Sequence, residues 1–128
     1  MLVPITAIYV ALLALVGVAL QQLVGRERLR SGISLGAGAD EALAVAMRRQ
    51  ANFVEQVPIA LVLLLALELN GASPAWLHGL GATLLFARII HPFGLEMANA
   101  QRLPRLVGAL ATLAVVLVAS AKALSQVL

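Results

Sequence analysis

Apolar residues occur in four long runs that are separated by short polar segments. The runs cover residues 2–24, 41–69, 74–90 and 103–128. A helix needs about 17 to 25 predominantly apolar residues to cross the hydrocarbon core of a bilayer. The sequence therefore predicts an all-α fold, a single domain that is an integral membrane four-helix bundle.

The polar segments supply the signals that separate these helices. Residues 31–40 are rich in Gly, Ala and Ser and predict the one long loop, with Asp40 as the N-cap of the second helix. Ser73 and Pro74 have the residue types of an N-cap and a first helical position for the third helix. A polar connector precedes and enters the fourth helix, and it contains Glu96, Asn99, Gln101, Arg102 and Arg105.

The second run carries polar residues where a membrane helix is otherwise apolar. At 100° per residue Arg48, Asn52 and Glu55 fall within an arc of about 60°, and Glu41 lies on the same stripe. A charged side chain at the centre of a bilayer costs at least about 2.5 to 3.5 kcal/mol, so such residues are expected to face the bundle interior and to have functional roles. The run is about 43 Å long as a helix, which exceeds the hydrocarbon thickness, so its polar first half should reach past the membrane surface.

The composition supports a membrane protein and excludes other classes. A 13.3 kDa chain with 62% hydrophobic residues and a mean hydropathy of +0.99 cannot bury its apolar surface alone, so lipids must cover the rest. The pI of about 10.7 does not indicate a nucleic-acid partner, because aromatic residues make up only 4% and offer no stacking platform. There is no cysteine, so any thiol chemistry requires a thiol carried by a ligand. The two histidines, His78 and His91, are expected at opposite faces, and we predict no metal site.

The positions of the basic residues predict the orientation. All eight arginines lie in or next to the connectors after the first and third helices, whereas residues 70–74 contain no Lys or Arg. Both termini are therefore expected outside the cytoplasm. Lys122 lies close enough to the end of the fourth helix to reach the interface. Four arginines are expected to anchor the chain to lipid headgroups, namely Arg26, Arg28, Arg30 and Arg49.

The polar stripe also resembles a known motif. Its residues are Arg48, Gln50, Asn52, Glu55 and Pro58, whose types and spacing resemble the second helix of the MAPEG superfamily, the membrane-associated proteins in eicosanoid and glutathione metabolism. Residues 68–71, Arg88, and His91 with Gly94 are similar to the short bacterial branch of that superfamily. The resemblance covers the whole chain in length and helix number.

The resemblance implies a homotrimer in the bacterial inner membrane that binds glutathione between subunits near the cytoplasmic face. Its activity would be that of a glutathione S-transferase or a peroxidase-like enzyme acting on a lipophilic electrophile from the bilayer. The implied catalytic residue is Arg102, as a stabiliser of the glutathione thiolate. The implied glutathione-binding residues are Arg48, Gln50, Asn52, Glu55, Arg88 and His91.

The residue types suit this ligand. Glutathione carries two carboxylates, an ammonium group and a thiol; a guanidinium group suits a carboxylate, and Glu55 suits the ammonium group. An arginine near sulfur favours the thiolate over a thiol whose pKa is about 8.5. The chain departs from several family enzymes, however. It has Gln56 after the motif glutamate, and His91, Phe93 and Leu95 after Arg88, where those enzymes have tyrosines. The departures leave the second substrate open.

Two alternatives remain beside the enzyme. Arg48 and Glu55 can be a structural ion pair, in which case the polar stripe serves assembly or lipid contact in a non-enzymatic protein. A small proton-coupled exporter has a similar length, but such exporters carry a glutamate in the first helix, and residues 2–24 contain no acid. Arg105 lies one turn after Arg102, so the sequence leaves open which arginine is nearer the thiol.

Overall fold

The structure, a computed structural model, describes residues 2–95 and 102–128. Over these ranges the chain forms four α-helices and one short 3-10 turn, without strands. The helices are α1 (Pro4–Ser31), α2 (Glu41–Leu69), α3 (Pro74–Ile90) and α4 (Leu103–Val127), and the turn is His91–Gly94. The all-α fold class is confirmed.

The first helix is longer than the sequence predicted, because it ends at Ser31 and not near residue 24. The charged segment after the apolar run ends the stretch that suits the bilayer, but Arg, Glu and Leu are good helix formers and continue the helix. Glu27 and Arg30 form an ion pair one turn apart within this extension. The helix stops at Gly32, which has a φ of 69° and donates its N–H to the carbonyl oxygen of Arg28 at 2.9 Å. Glu27 therefore belongs to the charged end of α1, beyond its apolar run.

The loop before α2 is held by side chains from both sides. The Asp40 carboxylate accepts the N–H of Leu43 at 2.8 Å, which confirms the predicted N-cap. Arg30 donates to both oxygens of the same carboxylate, at 2.6 and 2.8 Å, and this contact together with the N–H of Leu43 lowers the pKa of Asp40. Nη1 of Arg28 donates to three loop carbonyl oxygens, those of Ile33, Ser34 and Gly36. The loop is thus fixed against the end of α1.

The opposite end of the bundle is organised by Glu68, in the last turn of α2. Its Oε1 accepts the N–H of Ile5 at 2.9 Å and its Oε2 accepts the N–H of Thr6 at 2.6 Å. These are N–H groups of the first turn of α1, which have no partner within the helix. Val3, at the N-cap position of α1, has no side-chain acceptor to offer. Glu68 therefore caps α1 from a different helix.

Ser73 occupies the predicted N-cap position of α3 and Pro74 the first helical position. The Ser73 side chain makes no capping hydrogen bond, so the expected side-chain cap is absent there. Its backbone carbonyl oxygen accepts the N–H of Leu77 at 3.2 Å.

All four helices contribute to one apolar core. Buried leucines and valines of this core include Leu13, Val57, Leu64, Leu84 and Val115. The ring of Tyr9 packs directly on Gly81, where a Cβ atom would lie 2.3 Å from the ring. The Tyr9 hydroxyl donates to the carbonyl oxygen of His78 at 3.2 Å and lies 3.0 Å from Nδ1 of the same residue. This contact brings α1 against α3.

The outer surface of the bundle is largely apolar. Large hydrophobic side chains such as Leu15, Ile59, Phe86 and Leu117 are more than half exposed. Among the described residues α1, α2 and α4 are long and apolar enough to cross a membrane. α3 has 17 residues and is about 26 Å long, at the lower end of the range for a spanning helix. The exposed apolar faces therefore suit contact with lipid.

Candidate functional site

The polar stripe of α2 divides between two directions, and Arg48 and Glu55 point outward. Nη1 and Nη2 of Arg48 donate to Oε1 and Oε2 of Glu55 at 3.3 and 3.2 Å. The side chains are 58% and 49% exposed. The two residues are seven positions apart, close to two full helical turns, so the periodicity of α2 aligns them. The pair therefore lies on the surface of the single subunit.

Asn52, between them on the stripe, turns toward the bundle and binds Arg88 of α3. Nη1 of Arg88 donates to Oδ1 of Asn52 at 3.0 Å, and Nη2 donates to the carbonyl oxygen of Gly108 in α4 at 2.9 Å. Arg88 is only 2% exposed. Its guanidinium group thus connects three helices, and among the described residues no carboxylate forms an ion pair with it.

Glycine at position 108 makes this contact possible. A Cβ atom there would lie 2.7 Å from the carbonyl oxygen of Ala87 and 2.8 Å from the Cβ of His91. The backbone of α4 can therefore approach the end of α3 closely enough to accept a hydrogen bond from Arg88. The hydroxyl of Thr112 donates to the same Gly108 oxygen at 2.8 Å, so this acceptor has two donors.

His91 lies at the end of α3 and is only 4% exposed. Burial lowers its pKa to about 4, and the positive charges of Arg88 and Arg105 act in the same direction. His91 is therefore neutral near pH 7. A buried neutral imidazole beside Gly108 of α4 is a packing element.

Gln50 is half-buried and lies about 160° around α2 from Arg48. Gln50 therefore lies on the side of α2 away from Arg48. The neighbouring Arg49 was expected to be a headgroup anchor, but its Nη2 donates to the carbonyl oxygen of Leu95 at 3.0 Å. Arg28 and Arg30 also make contacts within the chain, so for three of the four arginines headgroup anchoring does not account for the position of the side chain. Sequence periodicity could not show these contacts, because they depend on the positions of other helices.

Arg102 is exposed at the N-cap position of α4. Arg105, one turn further, is half-buried, and its backbone nitrogen lies against Gly94, where a Cβ atom would come within 2.3 Å. The 3-10 turn therefore packs on the first turn of α4. Glu96, Asn99 and Gln101 of the polar connector lie outside the described residues.

Beside the outward ion pair there is a shallow depression of about 300 Å³. It is lined by Ala37, Ala44, Met47, Arg48 and Ala51. The alanines leave room on one side of the Arg48 guanidinium group, and the volume is at the lower end of the range of small-molecule sites, about 300 to 1,000 Å³. A small anionic group can reach Arg48 from this side.

These features define a class of protein: an integral membrane protein of four helices with a charged site on its second helix. The MAPEG family model matches residues 6–125, and the chain belongs to the MAPEG family.

Two curated relatives agree with this assignment. The chain is 37% identical over 90 residues to the inner membrane protein YecN of Escherichia coli strain K12, which covers 70% of this chain and 69% of YecN. The YecN protein of Escherichia coli O6:H1 strain CFT073 matches with the same values. No solved structure matches the chain at a significant level. The family and the relative place the protein in the inner membrane, as the sequence predicted.

Proposed function

We propose that the protein binds glutathione between two subunits of a homotrimer and directs its thiolate at a lipophilic electrophile. The activity is that of a glutathione S-transferase or a peroxidase-like enzyme. The half-exposed Arg48–Glu55 pair on a membrane-spanning helix carries the proposal.

The depth of this pair argues for a subunit interface. Glu68 lies in the last turn of α2, and Glu55 and Arg48 lie about 20 Å and about 30 Å from it along the helix. Glu55 therefore sits within the thickness of the hydrocarbon core, and Arg48 lies at the edge of that core. A charged side chain that faces lipid near the bilayer centre costs at least about 2.5 kcal/mol, so lipid is an unfavourable neighbour for the exposed Glu55 carboxylate. A second subunit that covers the pair removes this contact with lipid and encloses a polar cleft. Within the single subunit, the cavity beside Arg48 is a shallow depression that does not enclose the pair.

The charges of the pair match one end of glutathione. The γ-glutamyl group carries a carboxylate and an ammonium group on the same carbon, so it presents a negative and a positive charge side by side. Arg48 exchanges the carboxylate of Glu55 for the carboxylate of the ligand, and Glu55 exchanges the guanidinium group of Arg48 for the ammonium group of the ligand. Because Gln50 faces the other side of α2, we propose that it reaches the ligand from the neighbouring subunit.

The remaining candidates have different roles in this proposal. Arg88 and His91 are too buried to touch a ligand, so they position Asn52 and the start of α4. Arg102 is exposed at the start of α4 and stabilises the thiolate by its positive charge. The second substrate enters from the bilayer, since the surrounding helix faces are apolar.

The competing function is a non-enzymatic membrane protein in which the stripe serves assembly. One observation favours it: Arg48 and Glu55 already satisfy each other without a ligand.

Titration of glutathione into the detergent-solubilised protein separates the two functions. We expect binding by the wild-type protein, and a loss of about 1.5 to 3 kcal/mol in binding free energy for Glu55→Gln, with an unchanged oligomeric mass. Glu41→Gln is the matched control, because Glu41 is an exposed acid on the same stripe at the start of α2. Absence of glutathione binding by the wild type, or dissociation of the oligomer in Glu55→Gln, would support the structural role.

The role of Arg102 is tested by the absorbance of the bound thiolate. Arg102→Leu should retain most of the glutathione affinity and lose both the thiolate signal and turnover, because a thiolate stabiliser contributes to activation more than to binding. Arg48→Leu should mainly weaken binding. If Arg105→Leu abolishes the thiolate signal and Arg102→Leu does not, the catalytic role belongs to Arg105.

A further inference from the structure

A second cavity lies far from the charged site, in a groove between α3 and α4. Its volume is about 460 Å³. Its walls include Ala75, Gly79 and Thr83 of α3 and Ala114 and Val118 of α4, with Trp76 at one end. Most of these residues are exposed, so the groove is open along its length to the surroundings of the bundle.

The groove presents an apolar wall. The hydroxyl of Thr83 donates to the carbonyl oxygen of Gly79 at 2.7 Å, so this polar group is satisfied within its own helix. No heavy atom lies within 4 Å of a Cβ atom built at Gly79, which shows that the space beside it is open. From Ala75 to Thr83 the groove follows about 12 Å of helix. These dimensions suit a hydrocarbon chain lying along the helices.

A cation stands at the Trp76 end of the groove. Nζ of Lys122 lies 5.9 Å from the centroid of the Trp76 ring, and Trp76 is 46% exposed. Lys122 is the chain's only lysine and lies near the end of α4, whereas the eight arginines are located toward the other end of the bundle. Among the described residues no carboxylate lies within ion-pair distance of Lys122. Its ammonium group is therefore placed to bind an anion from outside the chain.

We propose that this groove binds an anionic phospholipid, with one acyl chain along α3 and α4 and the phosphate at Lys122. The charge complements the headgroup, and an ammonium group binds phosphate as a point charge. Trp76 at the mouth is the residue type that lies at headgroup level. The groove starts near the connector of residues 70–74, so the lipid comes from the leaflet on that side. This site does not depend on glutathione binding.

The single tryptophan of the chain provides a direct test, since Trp76 lines the groove. The protein is reconstituted in vesicles of phosphatidylcholine with brominated acyl chains, which quench tryptophan fluorescence on contact. Unbrominated phosphatidylglycerol then replaces part of the brominated lipid. We expect phosphatidylglycerol to displace the quencher with an affinity about fivefold higher than that of unbrominated phosphatidylcholine, the factor for one cation beside an anionic lipid.

Paired variants separate the headgroup contact from the chain contact. Lys122→Gln should lower the affinity ratio to about one and Lys122→Arg should retain it, while Arg26→Gln, which removes an exposed cation elsewhere, should not change it. Gly79→Leu fills the groove and should reduce the quenching of Trp76 by the brominated chains, whichever headgroup the competing lipid carries. Ala82→Leu is the matched control, because Ala82 is exposed on α3 outside the groove.

Three results would overturn the proposal: equal affinities for the two lipids in the wild type, an unchanged ratio in Lys122→Gln, or unchanged quenching of Trp76 in Gly79→Leu. If a second copy of the chain covers the groove, Trp76 of the wild type will not be quenched and Gly79→Leu will reduce the oligomeric mass. That outcome also overturns lipid binding at this site.

Discussion

Replacement of Arg88 by methionine tests whether this residue is a structural connection or a ligand contact. Methionine keeps an unbranched, flexible side chain of similar length and removes the charge and both donors. Arg88 now donates to Asn52 at 3.0 Å and to the carbonyl oxygen of Gly108 at 2.9 Å. Because Gly108 also accepts from the hydroxyl of Thr112, only Asn52 loses its donor.

The expected magnitude follows from this difference. An unsatisfied amide costs about 1 to 3 kcal/mol when it is fully buried, and Asn52 is half-buried. Polar contacts between membrane helices average about 0.6 kcal/mol with a maximum near 1.7. We therefore expect Arg88→Met to lower the free energy of unfolding by about 1 to 2 kcal/mol. Asn52→Leu should cost more, about 3 kcal/mol, because it leaves a buried charge with one partner fewer. The double variant removes both polar groups and should be more stable than Asn52→Leu.

The assay is equilibrium unfolding in mixed micelles of detergent and dodecyl sulfate, followed by Trp76 fluorescence. The order of stability should be wild type, Arg88→Met, Asn52→Leu, with the double variant above the last. A double variant whose loss equals the sum of the two single losses would refute the direct connection between the two side chains. Unchanged stability of Arg88→Met together with lost glutathione binding would show that Arg88 contacts the ligand.

Three further predictions concern other parts of the chain. Glu68→Gln should lower stability by about 1 kcal/mol, because it weakens a charged cap, and should speed amide exchange at the start of α1; unchanged exchange there would argue against the cap. His91 has a pKa of about 4 in the folded protein, below its ordinary value of about 6.5, so between these pH values the unfolded state binds more protons than the folded state. The free energy of unfolding should therefore fall as the pH falls from about 6.5 to about 4 and level off below that. Denaturation measured at several pH values should show this slope in the wild type and not in His91→Gln. Ser34→Cys and Ser73→Cys, in a chain without other cysteines, should be labelled from opposite sides of the membrane, and labelling of both by an impermeant reagent in intact cells would contradict the orientation.

The sequence predicted the elements of the fold well because helix formation and membrane crossing both depend on local composition. The apolar runs and the cap at Asp40 are properties of neighbouring residues. The predicted end of α1 was wrong, since charged residues end a membrane-spanning segment without ending the helix. A boundary in hydropathy and a boundary in helical structure are separate physical quantities.

The candidate site was predicted only in part, for a geometric reason. Periodicity placed Arg48, Asn52 and Glu55 on one stripe of α2. A stripe that lies at the edge of the contact between two helices can have some side chains that bind the next helix and others that stay on the surface. Asn52 turns to Arg88, and the other two bind each other. This division depends on the register between α2 and α3, which the sequence of α2 does not contain. Gly108, which lets α4 approach, gives no local signal of its role.

The cap that Glu68 places on α1 has a consequence for the order in which the protein is made. Glu68 lies 63 and 62 residues after the two N–H groups that it caps, so α1 is synthesised before its cap exists. Until α2 has been synthesised to its last turn, water or headgroups must satisfy the N–H groups at the start of α1. The carboxylate reaches these N–H groups only when the two helices are antiparallel and the end of α2 lies at the same depth in the membrane as the start of α1. The contact thus stabilises one position of α1 relative to α2 along the membrane normal, before α3 and α4 are added to this helical hairpin.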